Sequence, residues 1–223
     1  MIKRVIFDID NTLIPWKEEY YQEIKKALDD LNIEHTEKDY YEIKKAFSEY
    51  ENVYYKFDRK LMIEYINKYT KKNYPEEFIY KITERWANCV PDKIDDNIIR
   101  MLEYLQNKYE MVILTDWYGD QQEKRLEKLG ILKYFSVVYS AEKTKRKPFK
   151  EAFIQAIGNN KPEECIMIGD NLERDIQGAL NAGLQAIWYN PNNKTETAKG
   201  VKYYTISKLE ELLNIIWFTK NSQ

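Results

Sequence analysis

Two aspartates separated by a single residue, Asp8 and Asp10, follow directly on the apolar run Val5-Ile6-Phe7. If extended geometry persists through them, a spacing of two puts both carboxylates on one side of the strand. A buried parallel strand reads as a near-continuous apolar run, and such sheets collect ligands at the carboxyl ends of their strands. Two anions this close repel unless a cation or a proton sits between them. The segment therefore asks for a metal, a shared proton or both; the plain alternative is a turn after a strand.

A second acidic pair, Asp170 and Asp175, lies in Cys165-Ile166-Met167-Ile168-Gly169-Asp170-Asn171-Leu172-Glu173-Arg174-Asp175 and repeats the pattern of apolar strand followed by aspartate. Between the pairs come Val112-Ile113-Leu114-Thr115, an apolar strand ending in a hydroxyl, and Lys147-Pro148. Four segments thus each bring a polar group to a strand end. In this order, Asp-x-Asp, Thr, Lys-Pro and Gly-Asp-x-x-x-x-Asp resemble the haloacid dehalogenase-like hydrolase superfamily, in its phosphatase branch with a helical cap inserted after the first motif. The resemblance runs from residue 5 to about Asn190 and leaves the stretch between Pro15 and Val90 almost untouched.

The resemblance implies Asp8 as a nucleophile that forms an aspartyl-phosphate, splitting one hydrolysis into two easier steps. It implies Asp10 as general acid and base, a residue that the true dehalogenases of the family lack. Thr115 and Lys147 would hold the transferring phosphoryl group. Asp8 and Asp170 are hard oxygen ligands suited to Mg²⁺, joined in the family by the backbone carbonyl of Asp10. Asp175 would stand in the outer part of the metal site, orienting a water or the lysine. Lys147 is singled out from the crowded run Lys143-Thr144-Lys145-Arg146-Lys147 because Pro148 follows it; the other three basic residues read as a solvated loop. Asn11 and Thr12 read as turn residues or substrate contacts. Asp116 departs from the family pattern, which has Asn after the threonine; the sequence leaves its role open. Trp16, Trp117 and Tyr118 flank the motifs and could stack on a nucleobase, with packing as the default. Trp188-Tyr189-Asn190-Pro191 faintly resembles the nucleotidase branch.

These groups need elements to position them. Residues 17–90 show helical periodicity, with Thr36 and Asp58 as caps and Pro75 in a first turn. From Asp95 the pattern alternates: helix to Leu105, strand 111–115, helix 120–129 stopped by Gly130, strand 135–140, helix near 149–157, strand 165–168, helix near 173–182 stopped by Gly183, and strand 185–189. A strand near 201–206 and a helix from Ser207, with Ser207 and Glu210 as a capping box, complete the chain. Strand–helix alternation specifies an α/β fold: a Rossmann-like parallel sheet core with helices on both faces, residues 1–14 and 91–223, plus an all-helical cap domain, 15–90.

Composition sets the remaining bounds. The 223 residues carry a net charge of −2, so no global field favours nucleic acid. No apolar stretch approaches ~18 residues, and no secretory signal pattern precedes the first strand, so a cytoplasmic, non-membrane protein is expected. His35 is the only histidine, which argues against His-Asp-Ser triads and multi-histidine zinc sites. Cys89 and Cys165 read as unpaired thiols. The expected activity is Mg²⁺-dependent hydrolysis of a small phosphorylated metabolite, such as a nucleoside monophosphate or sugar phosphate, by a monomer or homodimer. Two alternatives stand beside it: a phosphomutase of the same family, and a non-enzymatic, receiver-like phosphate-binding protein. A receiver domain is far shorter and has no second acidic pair after its lysine.

Overall fold

The computed structural model describes residues 1–198 and 203–215. Six parallel strands form one sheet in the order β3-β2-β1-β4-β5-β6. They are β1 (Arg4–Phe7), β2 (Glu110–Thr115), β3 (Val138–Ser140), β4 (Cys165–Gly169), β5 (Gln185–Tyr189) and β6 (Tyr204–Ile206). The chain steps outward from β1 to β3, then returns to β4 on the other side of β1. That reversal is where an open parallel sheet leaves a crevice at its strand ends. Register aligns Phe7 with Ile113 of β2 and Ile168 of β4, so Asp8, Leu114 and Gly169 stand level with one another, with Thr115 and Asp170 one residue further on.

The period-two alternation of strand side chains explains the two layers around the sheet. Val5, Phe7, Met111, Ile113, Ile166 and Ile168 face one core, with Met101, Leu102 and Leu105 of α5 (Asp96–Gln106) and Leu126 of α6 (Gly119–Lys128). Ile6, Val112, Leu114 and Met167 face the other, against Phe153 of α7 (Lys150–Ile157) and Ala179 of α8 (Gly178–Asn181). Both faces are covered, as an all-parallel sheet requires.

Between β1 and α5 lie a 3₁₀ turn at Glu18–Gln22 and four helices: α1 (Glu23–Asp30), α2 (Glu37–Val53), α3 (Arg59–Thr70) and α4 (Glu76–Ala87). Thr36 caps α2 through its hydroxyl and Asp58 caps α3 by accepting from the Leu61 amide at 2.9 Å, while Pro75 takes the cap position of α4, one residue earlier than its first turn. These helices share an apolar core that also takes in Tyr118 and Ala141 from the loops after β2 and β3. The helical layer is thus docked on the sheet's loops: Phe57 N donates to Ala141 O at 3.2 Å and Arg146 N to Tyr55 O at 2.7 Å. Arg59 reaches across to Asp120 at 2.7 Å and Glu142 at 3.3 Å.

Two details differ from the sequence reading. The segment expected as a helix from 173 begins as a π-helical turn, Leu172–Gln177, before α8. At the other end, Glu211 rather than Glu210 closes the cap, accepting from the Ser207 and Lys208 amides at 3.0 and 2.8 Å; residues 201–202 of the last expected strand lie outside the described residues. Among the described residues no helix is long and apolar enough to cross a membrane.

The wide turn brings Asp175 back over the end of β4. Only a glycine fits beneath it: a Cβ at Gly169 would lie 2.4 Å from Asp175 Cγ. Gly169→Ala should therefore push Asp175 out and cost about 1–3 kcal/mol, the usual scale of overpacking. Thermal melts should show Tm falling by several degrees; an unchanged Tm would mean that the π turn yields freely.

Candidate active site

Asp8 follows β1 directly, and its amide donates to Ile168 O at 2.9 Å, which ties it to β4. Its side chain is buried, and every protein donor it has comes from another candidate segment or its own loop. Lys147 Nζ lies 2.6 Å from Asp8 Oδ1 and 2.6 Å from Asp175 Oδ1. Thr12 Oγ1 donates to Asp8 Oδ2 at 3.1 Å, so Thr12 orients the carboxylate as well as shaping the turn. Asp175 Oδ2 accepts from the Asn171 amide at 2.9 Å, which fixes the aspartate from its other side. Asp8, Asp170 and Asp175 each offer an oxygen, and these lie within 4.8 Å of one another. Asp170 is carried on β4's end, its carbonyl held by Trp188 Nε1 at 2.9 Å.

Asp10 does not share that side. The strand ends at Phe7, and Ile9 O then accepts from the amides of Thr12, Leu13 and Ile14, closing a tight turn. Asn11 sits at its corner with φ 60°, a left-handed conformation that asparagine tolerates, and its Oδ1 accepts from Trp16 N at 3.0 Å. The turn rotates Asp10 toward α6. There Arg125 NH1 approaches Asp10 Oδ1 at 2.5 Å and Gln122 Nε2 donates to Asp10 Oδ2 at 2.7 Å. The expectation of two carboxylates aligned by strand geometry is therefore corrected, because extended backbone stops before either of them.

Gln122 also donates to Thr115 Oγ1 at 3.0 Å, so α6 links the end of β2 to Asp10. Neither Gln122 nor Arg125 was anticipated from the sequence. A signal existed: α6, GDQQEKRLEK, has Leu126 as its only apolar residue, so the face it buries must include polar groups in need of partners. Asp116 finds its role here too. Its Oδ1 accepts from the Lys147 backbone amide at 2.7 Å, clamping the lysine's loop to the end of β2. Lys143 is exposed and Lys145 pairs with Glu151 at the surface, as a solvated loop should. Arg146 is not solvated: it donates to Lys147 O at 3.0 Å and to Glu51 O of α2 at 2.8 Å.

A cavity of about 410 Å³ opens between the helical layer and the strand ends. Asp8, Thr115, Lys147 and Asp170 lie at one end of its lining; Trp16, Phe47, Trp86 and Trp117 supply aromatic wall, with Glu51 and Arg174. Arg174 NH1 meets Glu51 Oε2 at 2.8 Å, an ion pair from the π turn to α2. Tyr118 does not reach the cavity. It is fully buried under Arg59, whose Cζ stands 4.1 Å from the ring centroid.

Charge is unbalanced at this site. Burial works against the Lys147 ammonium, but Asp175, Asp8 and Asp116 outweigh it and hold the lysine charged. Burial pushes the Asp8 carboxyl up, Lys147 pulls it back, and Asp175 pushes it up again. Burial and then Asp175 raise Asp170 to about 6. One ammonium stands among three carboxylates, and Arg174 supplies the next positive charge that Asp8, Asp170 and Asp175 feel.

Residues 5–189 match the family model described as haloacid dehalogenase-like hydrolase. The chain is 34% identical over 125 residues to the HAD-hydrolase YfnB of Bacillus subtilis (strain 168), covering 54% of this chain and 53% of that protein. It is 29% identical over 154 residues to the pyrimidine 5'-nucleotidase YjjG of Escherichia coli (strain K12), covering 60% of this chain and 68% of the relative. Over 230 residues it is 29% identical to the glyceraldehyde 3-phosphate phosphatase of Pyrococcus furiosus, covering 96% of this chain and 93% of that one. The crystal structure of YfnB bound to magnesium is similar with a TM-score of 0.73 at 24% identity, covering 96% of this chain and 98% of that chain. The chain spans about half the length of YfnB and of several other curated relatives that it matches.

A carboxyl raised in the fold binds its proton more tightly there than in the unfolded chain, so rising pH removes stability between the ordinary aspartate value and the raised one. In excess chelator, Asp170 should therefore cost stability as pH climbs from about 4 through about 6. Asp170→Asn should flatten that slope and melt at higher temperature than the parent at neutral pH. Parallel melting curves across the range would show that the charge crowding is not felt.

Proposed function

Since the chain belongs to the haloacid dehalogenase-like hydrolase family, we propose that it is a Mg²⁺-dependent phosphatase of small phosphate monoesters, acting through an aspartyl-phosphate on Asp8. The observation that carries this reading is the meeting of Asp8, Lys147, Asp170 and Asp175 at adjoining strand ends, at the head of a cavity with an aromatic wall.

The donor set fits a small hard cation. Three carboxylates offer oxygens within 4.8 Å, a single ammonium stands directly among them, and the Asp170 carboxylate accepts no hydrogen bond from the described residues. Asp8 and Asp170, with the Asp10 carbonyl, would hold Mg²⁺, which when bound offsets the repulsion between an anionic ester and an anionic nucleophile. Asp175, engaged by Lys147 and the Asn171 amide, stands behind them and keeps the lysine in place.

The chain's own residues then divide the work. An Asp8 oxygen attacks phosphorus and the bond to the ester oxygen breaks, its electron pair leaving with the alcohol. Asp10 gives that oxygen a proton. Asp10 next takes a proton from water, which attacks phosphorus and frees the Asp8 carboxylate. Lys147 and Thr115 hold the phosphoryl oxygens throughout, Lys147 supplying charge and Thr115 a hydroxyl. Gln122 and the Trp117 amide both donate to Thr115 Oγ1, at 3.0 and 3.3 Å, which leaves the threonine hydrogen available to a ligand.

A cavity of about 410 Å³ has the size of a site for one small metabolite. The helical layer above it excludes bulky phosphoproteins. Relatives named as a pyrimidine 5'-nucleotidase and a glyceraldehyde 3-phosphate phosphatase support esters of nucleoside or sugar size. A screen of such phosphates with and without Mg²⁺ tests this directly, and equal turnover in excess chelator would sink it.

The roles can be separated by rapid quench with a labelled aryl phosphate. Asp8→Asn should show no acid-stable, base-labile adduct; Asp10→Asn should accumulate one, because a good leaving group barely needs the proton while the second step still needs the base. Label on Asp8→Asn protein would overturn the assignment. Lys147→Ala should lose on the order of 10²–10³ in rate, whereas Lys143→Ala, at the surface, should stay near the parent. Equal losses would make the loop a diffuse basic patch.

A further inference from the structure

α6 carries a polar clamp that the proposed chemistry has not yet used. Arg125 is 2% exposed, yet one nitrogen makes all of its side-chain hydrogen bonds: NH1 donates to Asp10 Oδ1 at 2.5 Å and to Gln122 Oε1 at 2.8 Å. Its Nε and NH2 have no hydrogen-bond partner. Burying a guanidinium with bonds unmade is unfavourable, and packing alone would be better served by an apolar side chain such as the adjacent Leu126. The guanidinium lies beneath Trp16, with Cζ 5.5 Å from the ring centroid, so bulk water cannot supply the missing bonds.

The arrangement is directional. Arginine can only donate, so its bond to Gln122 decides which end of that amide faces it: the oxygen. The NH₂ end must then point the other way, to Asp10 Oδ2 at 2.7 Å and Thr115 Oγ1 at 3.0 Å. Each Asp10 oxygen thus has one donor from α6, and the carboxylate is turned from the Asp8, Asp170 and Asp175 cluster. Asp10 still lines the cavity. Without the clamp, nothing among the described residues would hold a second aspartate away from a cation bound two residues upstream.

We propose that Gln122 and Arg125 are positioning residues for Asp10, fixing its carboxylate toward the ester's leaving oxygen and away from the metal cluster. This rests on the reading of Asp10 as the acid and base. Neither residue lines the cavity; the clamp acts through the aspartate, with Gln122 also holding Thr115 Oγ1 at 3.0 Å. Losing it should hurt most where proton delivery matters most, with poor leaving groups.

The test compares kcat/KM, which reports the first phosphoryl transfer, for an aryl phosphate with a good leaving group and an alkyl phosphate with a poor one. The ratio of the two, taken on one preparation, does not depend on how much protein is folded. Gln122→Glu, nearly isosteric, keeps the acceptor for Arg125 but turns an anion on Asp10. It should raise the aryl-to-alkyl ratio on the order of 10²-fold, the low end of what general acid catalysis supplies. Arg125→Met removes the donor that orients the amide and should move the ratio the same way by about tenfold or more. Asp10→Asn is the reference. If Asp10→Asn shifts the ratio and the α6 variants lose rate equally on both esters, the clamp is overturned and the acid stands. If Asp10→Asn itself leaves the ratio unchanged, the acid assignment fails, and the clamp with it.

Discussion

One buried ammonium organises the end of the sheet. Lys147 sits 2.6 Å from both Asp8 and Asp175, and its backbone amide is taken by Asp116. Those contacts join the ends of β1, β2 and β4 to the loop before α7. Two buried carboxylates share one lysine and hold it charged, while Asp175 pushes the neighbouring Asp8 carboxyl up. Asp170 stands outside that sharing, yet it offers an oxygen within 4.8 Å of those of Asp8 and Asp175, a group that could hold a metal ion. The groups that tie these strand ends together are therefore the same groups proposed to bind a phosphate.

The second consequence concerns how two aspartates two residues apart come to separate surroundings. The tight turn after Ile9 sends Asp10 toward α6, where Gln122 and Arg125 receive it, while Asp8 stays with Lys147. Different surroundings are what allow like groups to take different chemical parts. A flat strand through both positions would have placed them in one environment.

The helical layer contributes the cavity's aromatic wall but does not pack alone. Its core includes Tyr118 and Ala141 from the sheet's loops, and Glu51 and Arg59 bridge to Arg174, Asp120 and Glu142. Cavity wall and docking surface are consequently shared. Residues that flank the motifs split accordingly: Trp117 reaches the cavity while its neighbour Tyr118 anchors the layer.

The sequence determined by itself what depends on short-range pattern. Apolar runs of three to five residues leading into Asp8, Thr115 and Asp170 mark strands and their polar ends, and parallel α/β topology brings such ends together. Helices of the inserted segment were legible from their caps, Thr36 and Asp58, because capping is local. Tertiary structure alone decided the rest. The partners Asp10–Arg125 and Glu51–Arg174 lie more than a hundred residues apart, and no periodicity records such a pairing. Nor did composition mark Arg146 as hydrogen-bonded to α2 or Asp116 as a backbone clamp, since a charged loop residue looks the same whether water or a carbonyl receives it. Burial is what separates these cases: it raises the cost of an unmatched polar group until geometry must supply a partner, and geometry is fixed only when distant segments meet.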